Sequence, residues 1–139
     1  MTHDINIHHE DNHESASSYL VEEIRNLLVN SNRDFSIGLS GGNTPKLTYS
    51  MMVEKFDDLS KTYLWTIDDR WIEEDNDLSN QRMINEYFER TDANILKFEF
   101  TSSSPESDAK KYEDKLKSTI QIFDVAILGM GEDGHVASL

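Results

Sequence analysis

What most constrains the fold of this chain is a regular exchange between two hydrophobic periodicities. Stretches with apolar residues at three- and four-residue steps, the mark of a helix face, alternate with apolar runs of strand length. Ile5 and Ile7 alternate with polar neighbours and predict a short first strand. Ala16, Leu20, Ile24, Leu27 and Leu28, with Tyr19 beside them, predict an amphipathic helix capped near Asn12 and ending near Asn30. Residues 35–40 (FSIGLS) predict a strand. Thr44 followed by Pro45 predicts a helix start, a capping hydroxyl before proline at the first helical position, with Leu47, Met51, Met52 and Phe56 as the buried stripe.

The alternation continues. Residues 62–67 (TYLWTI) predict a strand, and Ser79 caps a helix with Met83, Ile84, Tyr87 and Phe88 on one face. Residues 94–100 read either as a short strand or as an extended loop. Ser104-Pro105 starts a helix with Ala109, Tyr112, Leu116 and Ile120 on its inner side. Residues 123–128 (FDVAIL) are nearly all apolar, as in the middle of a parallel sheet. The expected fold is α/β: a three-layer sandwich with a mostly parallel, Rossmann-like sheet and right-handed crossovers, one domain over residues 1–139. Ligands in such sheets bind at the carboxyl ends of the strands.

Composition narrows the function classes. With 27 acidic and 13 basic side chains the net charge is −14, which argues against nucleic acid and anionic membrane surfaces as partners. A small anion still fits one locally positive site. The absence of cysteine excludes disulfides, thiolate zinc sites and a Cys nucleophile. Apolar runs such as residues 125–128 are far too short to span a membrane, and the polar Thr2, His3 and Asp4 lack a signal-peptide core, so a soluble cytoplasmic protein is expected. His3, His8, His9 and His13 crowd the N-terminus and read as a solvated strand edge and helix lead-in.

Three strand ends carry unusual loops. In Ser40-Gly41-Gly42-Asn43-Thr44-Pro45, paired glycines permit close backbone approach, and the following helix start offers free N–H groups to an anion; the same loop also reads as a tight turn with an ordinary cap. In Asp68-Asp69-Arg70-Trp71, followed by Asp75, Asp77 and Asn80, Arg70 is a candidate to bind a carboxylate or phosphate or to polarise a carbonyl, with Asp68 or Asp69 orienting it. A surface Arg–Asp pair with Trp71 as a packing plug is the plainer reading, and the acidic spacing matches no EF-hand. The third loop, Gly129 to His135, fits the GxGxxG spacing of a dinucleotide fingerprint, but Glu132-Asp133 stands where pyrophosphate would come and the motif follows the last strand. The alternative is His135 as a general base with Asp133 near enough to set its tautomer. The chain stops at Leu139, four residues later, so the last βα unit is expected to be cut short at the C-terminus.

Taken together, these loops resemble the 6-phosphogluconolactonase family, part of the superfamily that includes glucosamine-6-phosphate deaminase. The family pattern of SGG(S/T)TP, then DERW with a DSN triplet, then LGMGxDGHxASL stands here at residues 40–45, 68–71 with 78–80, and 128–139, in order and over nearly the whole chain. Departures are Asn43 for Ser or Thr, Asp69 for Glu and Leu78 for Asp. Arg70-Trp71 and Ser138-Leu139 favour the lactonase branch over the deaminase.

The resemblance implies hydrolysis of 6-phospho-D-glucono-1,5-lactone to 6-phosphogluconate, in the oxidative pentose phosphate pathway, with a phosphorylated sugar lactone as the small-molecule partner. It implies His135, Asp133 and Arg70 as catalytic residues, and Ser40, Gly41, Gly42, Asn43, Thr44, Asp68 and Asn80 as substrate- or phosphate-binding. No metal or organic cofactor is expected. The deaminase/isomerase reaction and a non-catalytic sugar-phosphate-binding domain are the alternatives. Family members continue well past this point, so weak or no activity is expected from these residues alone.

Overall fold

A computed structural model describes residues 4–139; His3 lies outside the described residues. The elements run α1 (His13–Val29), β1 (Phe35–Leu39), α2 (Lys46–Lys55), β2 (Thr62–Thr66), α3 (Asn80–Phe88), β3 (Asn94–Leu96), α4 (Pro105–Thr119) and β4 (Val125–Ile127). The four strands form one sheet in the order β3-β2-β1-β4, and every neighbouring pair is parallel.

Local chemistry sets most boundaries. Asn12 Oδ1 accepts from Ser15 N, Ser79 Oγ from Arg82 N, and Ser104 Oγ from Ser107 N, so three of the four helices start on a side-chain cap. The second helix differs from expectation. Its N-cap is Pro45 itself, no side chain caps it, and α2 begins at Lys46; the Thr44 hydroxyl does not serve as cap.

Strand alternation sends Phe35, Ile37 and Leu39 to one face, level with Thr62, Leu64 and Thr66 of β2 and with Val125 and Ile127 of β4. Val21, Ile24, Tyr49, Met52, Ile84 and Phe88 from α1, α2 and α3 close the core on that face. On the other face Trp65 lies across Gly38, where a methyl would come 2.6 Å from the indole ring, and packs at a tilt against Phe123 with ring centroids 4.4 Å apart. The α4 side chains Tyr112 and Leu116 line the same region as Trp65. Helices on both faces make the expected three layers.

Three expectations change and one open alternative is resolved. Ile5 and Ile7 form no strand: residues 4–10 are irregular, and the two side chains are 85% and 76% exposed, because no strand among those described offers them a ladder. The buried face of α1 runs through Ser17, Val21 and Ile24; Ala16 and Leu27 point outward, and Tyr19 stacks on His8 at 3.5 Å. Residues 94–100 split into the three-residue β3 and an irregular stretch. β4 is an edge strand in this chain, with Phe123 and Leu128 exposed, although its apolar run resembles a central strand.

Candidate active site

Because all strands run parallel and Leu39 sits level with both Thr66 and Ile127, the loops after β1, β2 and β4 leave the sheet at one height and one edge. They enclose a cleft of about 320 Å³. Ser40, Gly41, Gly42 and Thr44 line it from the first loop, Asp68, Asp69, Arg70 and Asn80 from the second, and Gly129 to Gly131, His135, Ala137 and Ser138 from the third. Nearly all the candidates named from sequence therefore meet in one place. Asn43 and Asp133 are the exceptions: Asn43 lines an adjoining hollow with Lys46, Arg70 and Arg82. Asp133 does not line the cleft itself but is bonded to His135, which does.

The third loop folds back on itself. Gly131 N donates to the His135 carbonyl at 2.9 Å, Gly134 N to the Gly131 carbonyl at 2.9 Å, and Met130 pairs antiparallel with Val136. Gly134 turns the chain at φ +87°, a conformation that suits glycine. The N–H groups of Gly131 and Gly134 are thus turned inward to close a hairpin, which a pyrophosphate cradle would need to leave free. The hairpin brings His135 Nδ1 to 2.5 Å from Asp133 Oδ1, and the backbone N–H of His135 also donates to that oxygen. The ring contact holds the Asp133 carboxyl below its usual range, and the backbone bond adds to the effect.

The second loop is organised by two residues in unexpected roles. Asp69 does not orient Arg70. Its carboxylate accepts from Arg70 N, Asn80 N and Gln81 N at 2.7–2.8 Å, and so fastens the loop to the first turn of α3. Asp68 does not orient Arg70 either: its Oδ2 accepts from Ser138 Oγ at 2.7 Å, tying the second loop to the third. The Arg70 guanidinium is held by neutral oxygens, Asn80 Oδ1 at 2.9 Å and the Leu78 carbonyl at 3.1 Å. Trp71 donates through Nε1 to Asp108 Oδ2 at 3.1 Å and packs edge-on against Phe100, so the packing role is the one observed for it.

In the first loop the buried Tyr49 hydroxyl donates to the Ser40 carbonyl at 2.7 Å, and burial pushes that phenol well above its usual range. Ser40 Oγ is itself buried and, among the described residues, has no hydrogen-bond partner. The Thr44 carbonyl accepts from His13 Nε2 at 2.9 Å. Nothing in the sequence marks Tyr49 as site-forming, and Asp69 is expected there only as a partner for Arg70. Their targets are nine and eleven or twelve residues away, beyond any local spacing rule.

Among the described residues, no three or more His, Cys, Asp or Glu are arranged to hold a metal ion, and no helix is long and apolar enough to cross a membrane. Residues 8–139 match the family of glucosamine-6-phosphate isomerases/6-phosphogluconolactonase. The chain belongs to this family. Within the glucosamine-6-phosphate isomerase/6-phosphogluconolactonase family it is 37% identical over 128 residues to a 6-phosphogluconolactonase of Thermotoga maritima, covering 87% of this chain and 58% of that protein. It is 36% identical over 115 residues to one of Synechocystis, covering 75% of this chain and 48% of that protein. The fold superposes on the crystal structure of a 6-phosphogluconolactonase from Shewanella baltica with a TM-score of 0.84 and 30% identity, covering 93% of this chain and 58% of that one. The chain spans about half the length of the curated relatives it matches.

Proposed function

We propose that the cleft binds 6-phospho-D-glucono-1,5-lactone and hydrolyses it to 6-phosphogluconate. The observation that carries this reading is the pairing, in one cleft, of an imidazole anchored to a carboxylate with a guanidinium that, among the described residues, no carboxylate pairs with. With Nδ1 bonded to Asp133, Nε2 of neutral His135 is left as the acceptor for a water proton. The water oxygen bonds to the lactone carbonyl carbon and its proton passes to His135. Negative charge then develops on the carbonyl oxygen, where Arg70 stabilises it. The ring C–O bond breaks, His135 returns the proton to the departing oxygen, and the product is an open-chain acid.

Ser40, Gly41, Gly42 and Thr44 are assigned to the 6-phosphate. The unpartnered buried Ser40 Oγ in the cleft lining supports this, as does the uncapped start of α2, whose first N–H groups lack side-chain acceptors. Asp68 and Asn43 are assigned to the same ligand more peripherally, since one is engaged by Ser138 and the other lines the adjoining hollow. A phosphorylated sugar lactone as partner and a cytoplasmic setting belong to the same reading.

Consumption of freshly prepared lactone, followed by NMR at high protein concentration, tests it. The expected result is a weak rate, just above spontaneous hydrolysis, that His135→Gln abolishes. A rate that survives His135→Gln contradicts the assigned base, and ammonia release from glucosamine 6-phosphate would select the deaminase reaction.

A further inference from the structure

Asn80 was expected to touch the ligand, but its side chain is committed elsewhere. It is only 5% exposed. Nδ2 donates to the Asp68 carbonyl at 2.9 Å, Oδ1 accepts from Arg70 Nη1 at 2.9 Å, and the backbone N–H donates to Asp69 at 2.7 Å. These partners settle which end of the amide is which, since a carbonyl only accepts and a guanidinium only donates. The amide also lies directly on the first loop. A methyl built at Gly41 would stand 1.9 Å from Asn80 Oδ1, so the glycine and the amide share one space.

Arg70 differs from the better-anchored arginines of this chain. Arg33 pairs with Asp124, and Arg82 with Asp77 and Glu86. Arg70 makes none of the salt bridges found among the described residues, and its fixed partners are an amide oxygen and a main-chain carbonyl. A long guanidinium side chain left to itself samples many rotamers, whereas one tied to a carboxylate is both fixed and neutralised. A neutral amide fixes it without cancelling its charge. In a chain of net charge −14, that distinction decides whether the cleft presents a usable positive group.

We propose that Asn80 is a positioning residue: its amide, clamped between Asp68 and Gly41, aims the uncancelled charge of Arg70 into the cleft and makes no contact with the ligand. This rests on the assignment of Arg70 to an anionic sugar phosphate. The test is a double-mutant cycle on binding of 6-phosphogluconate, with circular dichroism to check each fold. Arg70→Ala and Asn80→Ala should each weaken binding by about tenfold or more, and the double variant should be no weaker than Arg70→Ala alone.

The slowly rotating guanidinium signal of Arg70 in ¹⁵N NMR should be lost in Asn80→Ala, a change that a purely structural role for Asn80 would not produce. Asn80→Asp, which keeps the shape but places a carboxylate on Arg70, should weaken binding as much as Arg70→Ala; this variant decides the matter if Asn80→Ala does not fold. Additive losses, an unchanged Arg70 signal, or full affinity in Asn80→Asp overturn the proposal while leaving Arg70 in place. Unchanged binding in Arg70→Ala overturns the functional reading and this proposal with it.

Discussion

The imidazole of His135 rests against the α-carbon of Gly131: a methyl at Gly131 would lie 2.3 Å from both Cε1 and Nδ1 of the ring, and 2.8 Å from Asp133 Oδ1. The glycine leaves room for the contact between His135 and Asp133 inside a hairpin of a few residues. Gly131→Ala should therefore displace the ring from Asp133 while leaving the distant core intact. In ¹⁵N NMR, neutral His135 should carry its proton on Nδ1 in the parent chain, and Gly131→Ala should give mixed tautomers with the melting temperature little changed. A single unchanged tautomer in Gly131→Ala would show that Asp133 does not set it.

The Asp133 carboxyl is held below its ordinary range by the ring of His135 and then by the backbone N–H. A depressed carboxyl pKa means the contact is present at neutral pH and is lost only as the pH falls through that lowered value. A ¹³C titration should place the Asp133 midpoint below that of an exposed aspartate. His135→Ala should move it back up, and a midpoint indifferent to His135 would sink the assignment.

The starts of α1, α3 and α4 were legible because Asn12, Ser79 and Ser104 act on N–H groups three residues away. The start of α2 was misread by one residue, since Pro45 occupies the cap that Thr44 was expected to fill. The placement of β4 at an edge and the unpaired Ile5 and Ile7 depend on which strands are available as partners, which hydrophobic pattern alone does not encode. The three loops of the site stood out through their glycines and motifs. The bond from Arg70 to Asn80 and the fastening of α3 by Asp69 did not, because the partners lie ten to twelve positions apart across an irregular loop.

Gly38 is occupied from above by the Trp65 indole. Gly38→Ala should force that ring off its seat and destabilise the chain by about 1–3 kcal/mol in urea denaturation. An unchanged midpoint would mean that the Trp65 face is loosely packed.

Asp108, 1% exposed, accepts from the hydroxyl and N–H of Thr101 and from Trp71 Nε1. These bonds, those from Thr101 foremost, lower its pKa to about 2. Its contribution to stability is present above the ordinary carboxylate range and is lost as the pH falls toward that value. Denaturation midpoints should drop over this acid interval in the parent chain and drop less in Asp108→Asn; equal acid sensitivity would refute the role.

In the proposed function, one cleft joins the glycine loop, Arg70 and His135 around a phosphorylated sugar acid. Titration of the ¹⁵N-labelled chain with 6-phosphogluconate tests it most directly. Saturable shifts are expected at Gly41, Gly42, Thr44 and His135, and Arg70→Ala should suppress them. Saturable shifts confined to residues outside the cleft, or shifts there that Arg70→Ala leaves intact, would contradict it.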